Sequence, residues 1–204
     1  MTWGPIRQLG TGSDDGPFRV LAVCTGNVCR SPAAERLLDA RLGPGAGVVV
    51  ASAGTRALSG AAMTPETAEL LALHGADPAG FRARQLDAGL VARADLVLAL
   101  SREHRAAVVD LVPGAVGRTF TLRELARILM TLPAPRRREG GAPSAARLRG
   151  LRDDARLHRG APADPDEDDV ADPYGRGASA YRRTFDEILP AVDVLVGAMF
   201  DAVA

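Results

Sequence analysis

Short apolar runs alternate with amphipathic stretches along this chain. "FRVLAV" (Phe18–Val23), "VVVASA" (Val48–Ala53) and "ADLVLAL" (Ala94–Leu100) are continuous apolar runs that predict buried strands. "VGRTFTL" supplies a fourth. Helical patterns lie between them. Ser31 as a capping hydroxyl and Pro32 in the first turn open a helix whose apolar stripe holds Leu37, Leu38 and Leu42, and "GPGAG" ends it. Thr64-Pro65-Glu66 opens a second helix that runs to His74, with Gly75 as its C-cap. Ser101 caps a third, "SREHRAAVVDLV", with Glu103 in its first turn. "LRELARILMTL" puts Leu122, Leu125, Ile128, Leu129 and Leu132 on one face. The last pattern, "SAYRRTFDEILPAVDVLVGAMFDAVA", predicts a long amphipathic helix kinked near Pro190.

Strands without polar alternation, separated by helices, predict a parallel sheet covered on both faces. The expected fold is therefore α/β, a three-layer α/β/α arrangement around a central four-stranded parallel sheet. Ligands of such folds bind at the carboxyl ends of the strands, and Cys24 ends the first one. Two segments break the pattern. Residues 1–17, beginning "MTWGPIRQLG", lack a secretory core and read as a disordered leader. Residues from about 133 to 169 hold Arg136-Arg137-Arg138, many Ala, Gly and Pro, and the run "DPDEDD". They read as an exposed charged insertion, helical around Ala145–His158 and otherwise loose, within a single domain spanning 18–204. The arginine run reads as a solvated face that the acidic run can satisfy. No internal repeat is present.

Composition narrows the function classes. The 25 basic residues, all Arg, balance the 25 acidic ones, so net charge gives no argument for nucleic acid or an anionic membrane. No stretch is long and apolar enough to span a bilayer. The 2 cysteines are too few for a disulfide framework or a four-ligand zinc site, and they point to a reducing, cytoplasmic setting. His74, His104 and His158 are scattered, so neither a metal nor a cofactor is expected. His74, before Gly75, reads as a helix-end residue facing the dipole.

Both cysteines fall in one short loop, Cys24-Thr25-Gly26-Asn27-Val28-Cys29-Arg30-Ser31, between the first strand and its helix. Such a loop can turn several backbone N–H groups inward at a positive helix end, making a nest for a tetrahedral dianion. Gly26 and Asn27 tolerate the backbone angles this needs. Arg30 adds a planar fork for two phosphate oxygens. The same field favours the thiolate of Cys24, and Ser31 can donate to the sulfur. A thiolate facing a bound phosphoryl group can displace its ester oxygen, giving a phosphocysteine that water hydrolyses. Two readings of Cys29 stand. It can capture an oxidised Cys24 as a reducible disulfide, or it can fill space beneath the helix.

"CTGNVCRSPAAE" resembles the signature of the low-molecular-weight protein tyrosine phosphatases, a Cys-x5-Arg-Ser motif near the N-terminus. "SAGT" (Ser52–Thr55), "LHG", "ARQL" and the late "DPY" at Asp172–Tyr174 are similar too. The resemblance implies a flavodoxin-like, phosphotyrosine phosphatase I-like fold. It also implies Asp172 as general acid and then base, Tyr174 as an aromatic rim, and Asn27 and Ser52 as loop supports. The implied activity is hydrolysis of phosphotyrosine in proteins, with a bacterial tyrosine kinase as a candidate partner. Three positions depart from the family pattern. Leu58 stands near where an aromatic is common, Phe81 where a loop-supporting His is common, and Gly175 where a second aromatic follows. Related protein arginine phosphatases carry Thr where Val28 stands, which favours tyrosine. Thioredoxin-coupled arsenate reductases need further cysteines, and none follows Cys29, which leaves arsenate reduction with an external thiol as an alternative beside arginine phosphatase. A non-catalytic phosphate-binding module needs neither a thiolate nor an acid.

Overall fold

The computed structural model describes residues 16–132, 145–160, 162 and 164–200. The leader expected over 1–17 and the Arg136–Arg138 run lie outside them, apart from Gly16 and Pro17. Four strands, β1 (Phe18–Cys24), β2 (Val48–Gly54), β3 (Leu96–Ala99) and β4 (Thr119–Thr121), form one sheet in the order β2-β1-β3-β4. All pairings are parallel; Cys24 lies opposite Gly54, and Val23 opposite Ala99. The helices are α1 (Arg30–Leu42), α2 (Pro65–Leu73), α3 (Ala88–Arg93), α4 (Arg102–Leu111), α5 (Leu122–Thr131), α6 (Ala145–Leu157) and α7 (Ala178–Met199).

Side chains alternate across the sheet because successive residues of a strand point to opposite faces. Phe18, Val20, Ala22 and Cys24 face one core with residues of α1, α5, α6 and α7, while Leu21 and Val23 face a second core with Leu90, Val91 and Val108. This is the three-layer α/β/α architecture read from the apolar runs. It puts the end of β1 between β2 on one side and β3 on the other, where the strand order reverses and such sheets bind ligands.

Three local expectations change. Ser31 is not a helix cap: α1 starts at Arg30, Cys29 occupies the cap position, and no side chain caps it. The fourth strand shrinks to Thr119–Thr121, because Pro113–Arg118 winds into a 3₁₀ segment. Helix α3 was not foreseen; Asp87 caps it by accepting from the Leu90 amide at 2.7 Å. Helix α5 follows β4 without a loop because Thr121 and Glu124 form a capping box. Helix α7 continues through Pro190, which lies on its exposed side.

The helix within the charged segment is α6, and its exposure is only partial. Leu148 and Ala155, seven residues apart on one face, are buried in the main core. The acidic run turns inward too: Asp168 pairs with Arg127 at 3.2 Å and Asp169 with Arg102 at 3.0 Å. Among the described residues no helix is long and apolar enough to cross a membrane.

Candidate active site

The chain leaves β1 at Cys24 and enters α1 at Arg30, so five residues must turn it through the end of the sheet. Asn27 takes φ 54°, the one positive φ outside glycine among the described residues. Its amide side chain compensates for that conformation. Fully buried, it donates to Ser31 Oγ at 2.9 Å and Ser52 Oγ at 2.8 Å, and accepts from the Arg84 amide at 2.8 Å. Ser52 passes its own proton to Glu35 Oε2 at 2.5 Å. Burial pushes the Glu35 carboxyl up, and the Ser52 bond opposes that rise. Because Asn27 already donates to Ser31 Oγ, the serine proton faces two acceptors, Cys24 Sγ at 3.0 Å and the more distant Ala53 carbonyl at 3.4 Å. This contact is why Ser31 fails as a cap.

The loop's carbonyls point outward. Those of Cys24, Thr25, Gly26 and Val28 accept from the amides of Thr55, Arg56, Leu58 and Thr64 at 2.9–3.0 Å. The amides of Gly26–Cys29 find no backbone acceptor among the described residues. They are the free donors expected of an anion nest. Gly54 makes the close approach possible. A Cβ there would collide with the Thr25 carbonyl oxygen and lie 3.0 Å from Asn27 N. Gly54→Ala is therefore expected to cost about 1–3 kcal/mol and to lower kcat/KM by displacing the loop. Thermal denaturation and steady-state assay check this; parent values for both would contradict it.

Over the loop lies a cavity of about 240 Å³ lined by Cys24, Gly26, Val28, Arg30, Asp172 and Tyr174, with Thr25, Cys29, Arg56 and Leu58 completing the wall. Arg30 is 6% exposed; its Nη2 pairs with Asp172 Oδ2 at 2.7 Å, its Nη1 donates to the Val170 carbonyl at 3.3 Å, and its buried Nε has no partner. The Asp172 loop is fixed from behind. Val170 N donates to the Leu100 carbonyl, Ala171 N to Glu187, and Thr184 Oγ1 to the Ala171 carbonyl. Asp172 itself accepts from the Tyr174 amide at 3.2 Å. Tyr174 and Leu58, both well exposed, stand at the mouth.

Every site residue named from sequence thus lies in or beneath one cavity, with Asn27, Ser31 and Ser52 buried below it and the rest on its wall. Cys29 points elsewhere. Its sulfur sits 3.7 Å from both Thr64 Oγ1 and Tyr181 OH, and burial pushes its thiol up. Both cysteines are free thiols. At the position flagged for a histidine, Phe81 is buried with Arg36 stacked 5.9 Å above its ring.

Sequence reasoning set His104 aside, yet the fold brings it to the loop. Its Nε2 lies 2.8 Å from Thr25 Oγ1 and its Nδ1 2.8 Å from Ser101 Oγ. The available signal was Ser101-x-x-His104 in the turn right after a strand's carboxyl end. Burial, and then the Arg30 charge, push the imidazole down to about 4. The unfolded chain takes up a proton near pH 6.5 that the folded protein refuses until about pH 4. Stability is complete above that window and falls as pH drops through it, by roughly 3 kcal/mol. Denaturant melts between pH 7 and 4 check this against His104→Asn, which should lose that part of the slope; an unchanged slope would contradict it.

A parallel α/β sheet carrying a Cys-x5-Arg loop at its carboxyl edge, with a carboxylate on the guanidinium, defines the class of cysteine-dependent phosphatases. The low molecular weight phosphotyrosine protein phosphatase family model matches residues 19–134, and the chain belongs to that family. It is similar to the low molecular weight protein-tyrosine-phosphatase Etp of Escherichia coli K12, 42% identical over 101 residues, covering 50% of this chain and 66% of Etp. It is also similar to a protein-arginine-phosphatase of Geobacillus stearothermophilus, 30% identical over 179 residues, covering 88% and 94%. The crystal structure of the low molecular weight protein tyrosine phosphatase from T. tengcongensis superposes with a TM-score of 0.63 at 31% identity, covering 88% of this chain and 97% of that one.

Proposed function

We propose that the protein is a protein tyrosine phosphatase that hydrolyses phosphotyrosine through a phosphocysteine on Cys24. The observation that carries this reading is the single cavity in which Cys24, Arg30 and Asp172 meet beside an aromatic rim. A phosphoryl group entering it takes the free loop amides and the Arg30 fork, so Arg30 exchanges Asp172 for two phosphate oxygens. The released Asp172 carboxylate takes up a proton from solvent and then faces the ester oxygen. Cys24 sulfur attacks phosphorus in line; the S–P bond forms, the P–O bond to the ring breaks, and the Asp172 proton goes to the departing phenolate. In the second step Asp172 takes a proton from water, the new P–O bond forms and the S–P bond breaks. Inorganic phosphate and the Cys24 thiolate are released. Tyr174 stacks on the substrate ring and Leu58 closes the other side. Phosphotyrosine proteins of the cytoplasm are the substrates on this reading, with a tyrosine kinase as the opposing enzyme.

One observation favours a second reading. The arginine phosphatase relative is matched over far more of this chain than the tyrosine phosphatase Etp. Against it, Val28 presents methyl groups at the cavity wall and offers no acceptor to a guanidinium N–H. A side-by-side assay on a phosphotyrosine peptide, a phosphoarginine protein and arsenate with external thiol decides between them. Preference for the first supports the proposal; preference for the second or third replaces it.

A further inference from the structure

We propose that His104 is a positioning residue that fixes the Thr25 hydroxyl as a hydrogen-bond donor to the phosphoryl group in the loop. The proposal rests on the anion-binding role given to that loop above. Ser101, His104 and Thr25 form a chain of hydrogen bonds from the cap of α4 to the floor of the cavity. Its proton order follows from counting. Ser101 Oγ already accepts the His104 backbone N–H at 3.3 Å as the helix cap. The serine has one proton left, and Nδ1 at 2.8 Å is the acceptor beside it. Nδ1 is then unprotonated, so the neutral ring carries its proton on Nε2 and donates to Thr25 Oγ1 at 2.8 Å. The opposite tautomer would leave the buried Ser101 proton without an acceptor among the described residues, a cost of about 1–3 kcal/mol.

Once Thr25 accepts from His104, its own proton cannot turn back toward the ring. It points away, and Thr25 lines both the Cys24 cavity and the adjoining groove with Arg30 and Asp172. A hydroxyl held this way adds a fixed donor to the loop amides and needs no reorganisation when charge builds on the phosphoryl oxygens. The ring is 2% exposed and remains neutral in the working range, so the order persists there.

Two experiments test it. The first is the imidazole ¹⁵N spectrum of the whole protein. The Nε2–H tautomer of His104 is expected; the Nδ1–H tautomer overturns the proposal. The second compares Thr25→Val, His104→Leu and the double variant, using p-nitrophenyl phosphate turnover and inhibition by inorganic phosphate. Each single change is expected to lower kcat/KM about tenfold and to weaken phosphate by a similar factor, the worth of one hydrogen bond. The double variant should lose no more than either alone, since one chain is cut twice. His104→Gln, whose amide can donate at the Nε2 position, should recover most of the loss. Lower melting temperature with parent kcat/KM and parent phosphate affinity, or additive losses in the double variant, would overturn the proposal. Phosphate titration of the Cys24→Ser protein with and without Thr25→Val separates the two readings. If the parent hydrolyses no ester yet Thr25→Val still weakens phosphate, the phosphatase reading fails and the Thr25 donor stands.

Discussion

Replacing Cys24 with serine is expected to reduce turnover of aryl phosphates by on the order of 10⁴–10⁶-fold while inorganic phosphate still binds. The asymmetry follows from how the loop is built. On the proposed reading, anion affinity comes from the amides of Gly26–Cys29 and from Arg30, none of which depends on the sulfur. The serine oxygen inherits the Ser31 contact that Cys24 has at 3.0 Å, and the Asn27 scaffold beneath stays intact. Chemistry is lost because an alcohol is a far weaker nucleophile than sulfur and a far poorer leaving group in the second step. Calorimetric titration with phosphate, run beside the rate assay, separates the two effects. Full turnover in the variant would remove Cys24 as nucleophile, and loss of phosphate binding would mean that the sulfur holds the loop together.

Asp172→Asn is expected to slow phenyl phosphate by about 10²–10⁴-fold and p-nitrophenyl phosphate far less. On the proposed reading a poor leaving group needs the proton from Asp172, and a good one departs without it. The rate plotted against leaving-group basicity should therefore steepen sharply. The ion pair adds a second signature. In the free protein Asp172 holds Arg30 at 2.7 Å and so competes with phosphate for the guanidinium. An amide competes weakly, and the variant should bind inorganic phosphate a few-fold more tightly even as it turns over more slowly. A uniform loss across all aryl phosphates would assign Asp172 to binding instead.

Much of this arrangement was legible because it is local. Cys24, Asn27, Arg30 and Ser31 lie within one turn between a strand and a helix, and the strand's apolar run placed that turn at the ligand-binding edge of the sheet. What was not legible depends on distance or competition. Val170 and Arg30 are 140 residues apart, and only the fold brings the Asp172 loop onto the guanidinium. Ser31 carries a cap-forming hydroxyl, but the sulfur and Asn27 claim it first. His104 gave no pattern beyond a helix cap three residues before it. Its partner Thr25 is reached across the gap between two strand ends, which periodicity does not report. The charged segment misled through composition. Leu148 and Ala155 share a helix face at a spacing of seven, yet the surrounding Arg, Gly and Pro hide that stripe. The acidic run found its cations in Arg102 and Arg127, on helices distant in sequence. Asp172 stands beyond residue 134, where the family model's match ends, so its role rests on the geometry at Arg30.

On the proposed mechanism the sulfur of Cys24 carries the phosphoryl group during turnover. Rapid acid quench of the protein with an aryl phosphate, followed by peptide mass spectrometry and ³¹P NMR, tests it directly. The predicted result is one phosphoryl group on the Cys24 peptide, with a phosphorothiolate resonance that decays as phosphate is released. Phosphate release at the parent rate with no adduct at any quench time, or an adduct on another residue, would contradict it.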